Sequence, residues 1–92
     1  MTRFVYRVHA LKRMFERQIE RSVVESVVRS GTTIERYPED TPYPSRLVLG
    51  WDGDQPVHAV VADNVPEDEL IIITVYQPDP ARWDSSFSRR QP

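Results

Sequence analysis

Residues 69–76, ELIIITVY, decide how the rest of the chain is arranged. Five of the eight, Ile71 to Val75, are β-branched, which stiffens the side chains and favours extended backbone. In a strand, Leu70, Ile72, Thr74 and Tyr76 share one face, and Ile71, Ile73 and Val75 share the other. Both faces are then largely apolar, which reads as the central strand of a sheet rather than a wet edge. The stretch stops at Gln77-Pro78-Asp79-Pro80, because proline supplies no ladder N–H.

Working back from this strand, Asn64 to Asp68 reads as a turn and Pro56 to Asp63 as a strand. Asp52-Gly53-Asp54-Gln55 carries the Asp-Gly hairpin signature, and Ser45 to Trp51 is the partner strand, with Leu47, Leu49 and Trp51 on one face. Pro38 to Pro44 holds three prolines and two acids and is an extended loop. Thr32 to Tyr37 fits the first strand of this sheet, and Gly31 before it suits a helix C′ position with positive φ. Glu20 to Ser30 is a helix whose apolar face is Val23, Val24, Val27 and Val28. His9 to Gln18 is another, with Ala10, Leu11, Met14 and Phe15 on one side. His9, Arg13 and Arg17, spaced four apart, form one ridge opposite. Thr2 to Val8 fits a short edge strand or an extended lead-in equally well.

The pattern predicts an α+β domain over residues 1–83, with two N-terminal helices on one face of a four-stranded antiparallel sheet. Asp79 and Pro80 look like the start of a short helical turn through Trp83. Residues 84–92 form a polar tail expected to fray.

Ninety-two residues suffice for one modest core. The absence of cysteine excludes a disulfide framework or a thiolate metal site. No apolar run approaches the length of a membrane span and no signal-peptide core is visible, so a soluble cytoplasmic protein is expected. The net charge of −2 conceals an asymmetry. Residues 1–37 hold eight Lys/Arg against four acids, residues 38–80 one against nine, and residues 81–92 three against one. Basic ends around an acidic middle allow a local polyanion site and argue against wholesale nucleic-acid coating.

There is no phosphate loop, dinucleotide-binding glycine run or nucleophile motif. His9 and His58 are the only histidines, and neither a metal nor another cofactor is expected. Three stretches do resemble a known family when taken together: HALKRMFER, PYPSRLVLGWDG with PVHAVVA, and ITVYQPDPARW. They are similar to a family of small bacterial proteins catalogued as a domain of unknown function, number forty-two fifty-eight, over about residues 5–83. The matching positions are His9, Arg13, Met14, Arg17, Pro44, Gly50, His58, Tyr76, Pro78 and Trp83. Gln18 departs from the pattern, which tends to glycine between the helices.

Members of that family resemble RelE-like toxins, and some are encoded beside zinc-finger antitoxins. The resemblance implies the toxin half of a toxin–antitoxin pair, an mRNA-cleaving ribonuclease with an antitoxin as partner. Metal-free RNA cleavage requires a base for the 2′-hydroxyl, an acid for the leaving oxygen and cations for the phosphate. His9, Arg13, His58 and Tyr76 are the candidate catalytic residues, and Arg17 and Arg82 the candidate RNA-binding ones. Each has a plainer role: His9 as a cap, the arginines as a solvated helix face, His58 as a half-buried core histidine, Tyr76 and Trp83 as packing. Two other functions fit the same residues. One is an interaction module that pairs through a sheet edge, Thr32 to Tyr37, with a partner or in a homodimer. The other is RNA or ribosome binding without cleavage.

Overall fold

The computed structural model describes residues 2–91. Seven elements follow in order: β1 (Arg3–Tyr6), α1 (Val8–Arg17), α2 (Arg21–Ser30), β2 (Thr32–Tyr37), β3 (Ser45–Asp52), β4 (Gln55–Asn64) and β5 (Glu69–Tyr76). They build one sheet in the order β1-β5-β4-β3-β2. The fold is α+β, but the expected four-stranded antiparallel sheet with the helices at the N-terminus is not what forms. The sheet has five strands and is mixed, and both helices come after a first strand.

The correction has a physical cause in ELIIITVY itself. β5 is apolar on both faces and cannot present a bare edge. β1 covers residues 69–72 of that edge in parallel, with Arg3 opposite Glu69 and Tyr6 opposite Ile72. Phe4 and Tyr6 pack on the core, with Arg29 5.0 Å above the Phe4 ring and Arg21 5.0 Å above the Tyr6 ring. The strand at the middle of the sheet is therefore β4, not β5.

The other side of β5 meets β4 antiparallel, with His58 opposite Tyr76 and Asn64 opposite Glu69. A bulge interrupts this ladder: Val60 lies opposite Thr74, Val61 opposite Ile72, and Ile73 is the extra residue. Strict alternation therefore fails inside β5, and Ile72 and Val75 both join the helix-facing core with Val48, Val57, Ala59 and Val61. The helices bring Ala10 and Met14 from α1 and Val24, Val27 and Val28 from α2 to the same core. On the opposite face Trp83 is buried, and Phe87 meets the Trp51 ring edge-on at 6.0 Å. Residues 84–91 thus lie across the sheet, with Arg90 bridging to Trp83. Arg46, the single cation of the acidic middle, pairs with Asp63 at 3.0 Å.

Two junctions show what local pattern reading overlooks. Gly31 is not left-handed: its φ is −78°, and glycine is needed there because the helix end presses on β3. Gln18 is the left-handed residue, at φ 56°, where Ile19 N–H closes back on the Met14 carbonyl at 2.8 Å. A side chain at this left-handed position strains the backbone. Gln18→Gly is expected to raise stability by about 0.5–1 kcal/mol, seen as a Tm increase of a few degrees. An unchanged or lower Tm would show that the turn is not strained.

Candidate functional site

The cleft exists because β1 is short. It ends opposite Ile72, where Arg7 N–H donates to the Ile72 carbonyl at 3.0 Å, and the chain turns directly into α1. Among the described residues, none pairs as a strand with residues 73–76 of β5 on that side. Burial of Ala10 and Met14 fixes the roll of α1, so the His9, Arg13 and Arg17 ridge overhangs the end of β5. From the other direction, buried Pro78 turns the chain, and Asp79 Oδ1 accepts the Ala81 N–H at 2.8 Å. That turn delivers Arg82 and Trp83.

A hollow of about 390 Å³ results. Its walls are the α1 ridge, the β5 end at Thr74, Tyr76 and Gln77, and Asp79, Arg82, Trp83 and Arg90 from the terminal segment. Four arginines and a histidine face one carboxylate, so the hollow is cationic. Arg13 makes only an exposed contact with Glu16 at 3.9 Å, an interaction of little worth in water. Arg90 sits 4.9 Å above the Trp83 ring and pairs with Glu35 at 3.4 Å. Among the described residues, Arg17 and Arg82 have no ion pair, which leaves both available to an anion.

Five of the six residues singled out from the sequence therefore line one hollow: His9, Arg13, Arg17, Tyr76 and Arg82. His58 does not. It is fully buried behind Tyr76, with Trp83 edge-on at 4.5 Å and Tyr76 edge-on at 5.2 Å. His58 Nε2 lies 2.8 Å from the Phe87 carbonyl, which can only accept, so Nε2 carries the proton. In the neutral ring Nδ1 then accepts the Tyr76 hydroxyl at 3.1 Å. Burial holds the His58 pKa below its ordinary value, with the Arg90 charge acting in the same direction against the Phe87 hydrogen bond and Glu35. Burial likewise pushes Tyr76 up.

Of the hollow's cationic residues, the one that sequence reasoning missed is Arg90. It belongs to a segment with no periodicity, and its place follows only from its contacts with Trp83 and Glu35.

The buried histidine makes stability depend on pH. Its native pKa lies below the ordinary 6.5, so the unfolded chain takes up a proton that the native state refuses. The contribution is complete above pH 6.5 and is lost as pH falls below it towards the native pKa. Urea midpoints measured from pH 7.5 down to 5 should fall, and His58→Asn should flatten that slope. Glu35 acts in a separate, lower window: the Tyr37 hydroxyl holds its carboxyl below the ordinary 4.5, so its share is lost only as pH falls below 4.5. A midpoint constant between pH 7.5 and 5 would contradict the assignment of a neutral His58.

Comparison with curated proteins gave no match, and comparison with solved structures gave none either. A family model described as Domain of unknown function (DUF4258) matches residues 6–77. That span takes in the α1 ridge, His58 and Tyr76, and it stops before Asp79, Arg82, Trp83 and Arg90. By this match the chain belongs to the DUF4258 family.

Proposed function

We propose that the hollow binds the phosphodiester backbone of RNA and that the protein is a metal-independent endoribonuclease of the toxin kind, restrained by an antitoxin partner. The observation that carries this reading is the convergence of the His9, Arg13 and Arg17 ridge with Tyr76 and Arg82 around one cationic hollow. Guanidinium groups bind phosphate through paired N–H donors, and Arg13, Arg17 and Arg82 are placed to do so. His9 and Tyr76 line the hollow as proton-transfer groups, beside the Asp79 carboxylate.

Part of the chain's negative charge lies away from the hollow. Glu67, Asp68 and Glu69 stand at the start of β5 and Tyr76 at its end, a separation of roughly 23 Å along the strand. That exceeds the screening length of about 8 Å at physiological salt.

The test is incubation of purified protein with labelled single-stranded RNA in excess chelator. Cleavage to 2′,3′-cyclic phosphate ends is expected, with His9→Ala slower by about 100-fold or more. RNA that stays whole with and without added metal rules the activity out. One observation favours a second reading in that event: β2 stands at the sheet edge with no strand outside it among the described residues, the arrangement an interaction module pairs through.

A further inference from the structure

His58 is a costly residue for its place. It is buried between Val57 and Ala59 in the chain and opposite Leu49 and Tyr76 in the sheet, yet both ring nitrogens are used. Nε2–H donates to the Phe87 carbonyl at 2.8 Å, and Nδ1 accepts from the Tyr76 hydroxyl at 3.1 Å. Phe87 is held at φ 58°, a left-handed conformation that an aromatic residue rarely adopts, with its N–H bound to the Asp84 carbonyl at 2.9 Å. Backbone strain of this kind persists where the surroundings impose it, and here it accompanies the carbonyl that sets the histidine tautomer. The other end of the chain, Tyr76, faces the cationic hollow.

We propose that His58 is a positioning residue that acts through Tyr76 as the buried end of a proton relay for RNA cleavage. This rests on the ribonuclease reading. The substrate 2′-hydroxyl gives its proton to Tyr76 Oη while Tyr76 passes its own proton to His58 Nδ1. The 2′-oxygen bonds to phosphorus, the bond from phosphorus to the 5′-oxygen breaks, and protonated His9 gives its proton to that oxygen. The products are a 2′,3′-cyclic phosphate and a 5′-hydroxyl, with His58 left as imidazolium and His9 neutral until solvent resets both.

Burial disfavours the charged ring, but its hydrogen bonds survive protonation. Protonated His58 keeps Nε2–H on the Phe87 carbonyl and turns Nδ1–H onto the Tyr76 oxygen, so neither hydrogen bond is lost. The groups acting on it are Tyr76 from β5, Glu35 from β2, whose carboxylate favours the imidazolium, and Arg90 from the terminal segment, which opposes it. Trp83 closes the remaining side and excludes water.

The experiment compares wild type, His58→Asn, Tyr76→Phe and the double variant on a single-stranded oligoribonucleotide between pH 5 and 9. Asparagine retains an acceptor for Tyr76 but cannot take up a proton. Each single variant is expected to lose about 10²–10⁴-fold in kcat with KM changed far less, and the double variant to be no slower than the singles. The rising acidic limb of the wild-type profile disappears in His58→Asn. A His58→Asn enzyme that keeps that limb, or losses that multiply in the double variant, overturns the relay while leaving the ribonuclease reading intact. Wild type that leaves RNA whole overturns both. Should His58→Asn fail to fold, nitrogen NMR of the wild-type imidazole decides: the proton is expected on Nε2, and a proton on Nδ1 in the neutral ring overturns the relay.

Discussion

Gly31→Ala is expected to cost about 3 kcal/mol of stability. A Cβ at position 31 would fall against the Val27 carbonyl oxygen, 2.5 Å from the Leu49 carbonyl oxygen and 2.8 Å from Val48 Cγ1. Two of these three atoms are backbone and cannot rotate away. Gly31 N–H also closes α2 onto the Val27 carbonyl at 2.7 Å, so relieving the clash pulls the helix end from β3. Val24, Val27 and Val28 would leave the core with it. Gly50 meets the same helix from the sheet side, where a Cβ would stand 2.9 Å from Val27 Cα. Gly50→Ala should therefore act in the same direction. Against a total of about 5–15 kcal/mol for a domain of this kind, either change is large. Urea unfolding measures it, and a Gly31→Ala midpoint equal to wild type would mean that α2 and β3 can separate freely.

Replacing Arg13 and Arg17 together with alanine is expected to weaken single-stranded RNA binding about 100-fold near 0.1 M salt. Each charge-assisted contact to phosphate is worth about 1.5–3 kcal/mol, discounted here because both side chains are exposed. The mechanism has its own signature. Removing two phosphate contacts lowers the slope of log affinity against log salt by about 1.4 for a single strand. Folding should be unaffected, since neither side chain is buried and Arg13 has only its weak contact with Glu16. Arg3→Ala is the control: Arg3 pairs with Glu69 at the far end of β5 and should leave both affinity and slope unchanged. A double variant that keeps the wild-type salt slope would place the RNA elsewhere.

Local pattern carried much of this protein. β-branching and two-sided apolarity marked residues 69–76 as a strand with the observed bounds, but the central place expected for it belongs to β4. The valine spacing found α2, and the Asp-Gly signature found the turn at Gly53, which has φ 60°. The spacing of four that aligns His9, Arg13 and Arg17 depends only on helix geometry, so the ridge was legible before any packing was known.

What escaped depends on residues far apart in the chain. Four residues of β1 carry too little pattern to name a partner, and the parallel pairing of Arg3 with Glu69 joins positions 66 apart. The bulge at Ile73 also has no local signal, because β-branched residues fill both faces on either side of it. The depth of His58 is set by Trp83 and the Phe87 carbonyl, supplied by a segment whose composition reads only as a polar tail. By itself the sequence determined the two helices, the four strands β2 to β5 and which residues share a helix face, because those periods belong to the backbone. Only the tertiary structure decided that β1 completes the sheet, that Arg90 reaches the hollow and that His58 lies behind Tyr76, because pairing and desolvation depend on what the rest of the chain brings alongside.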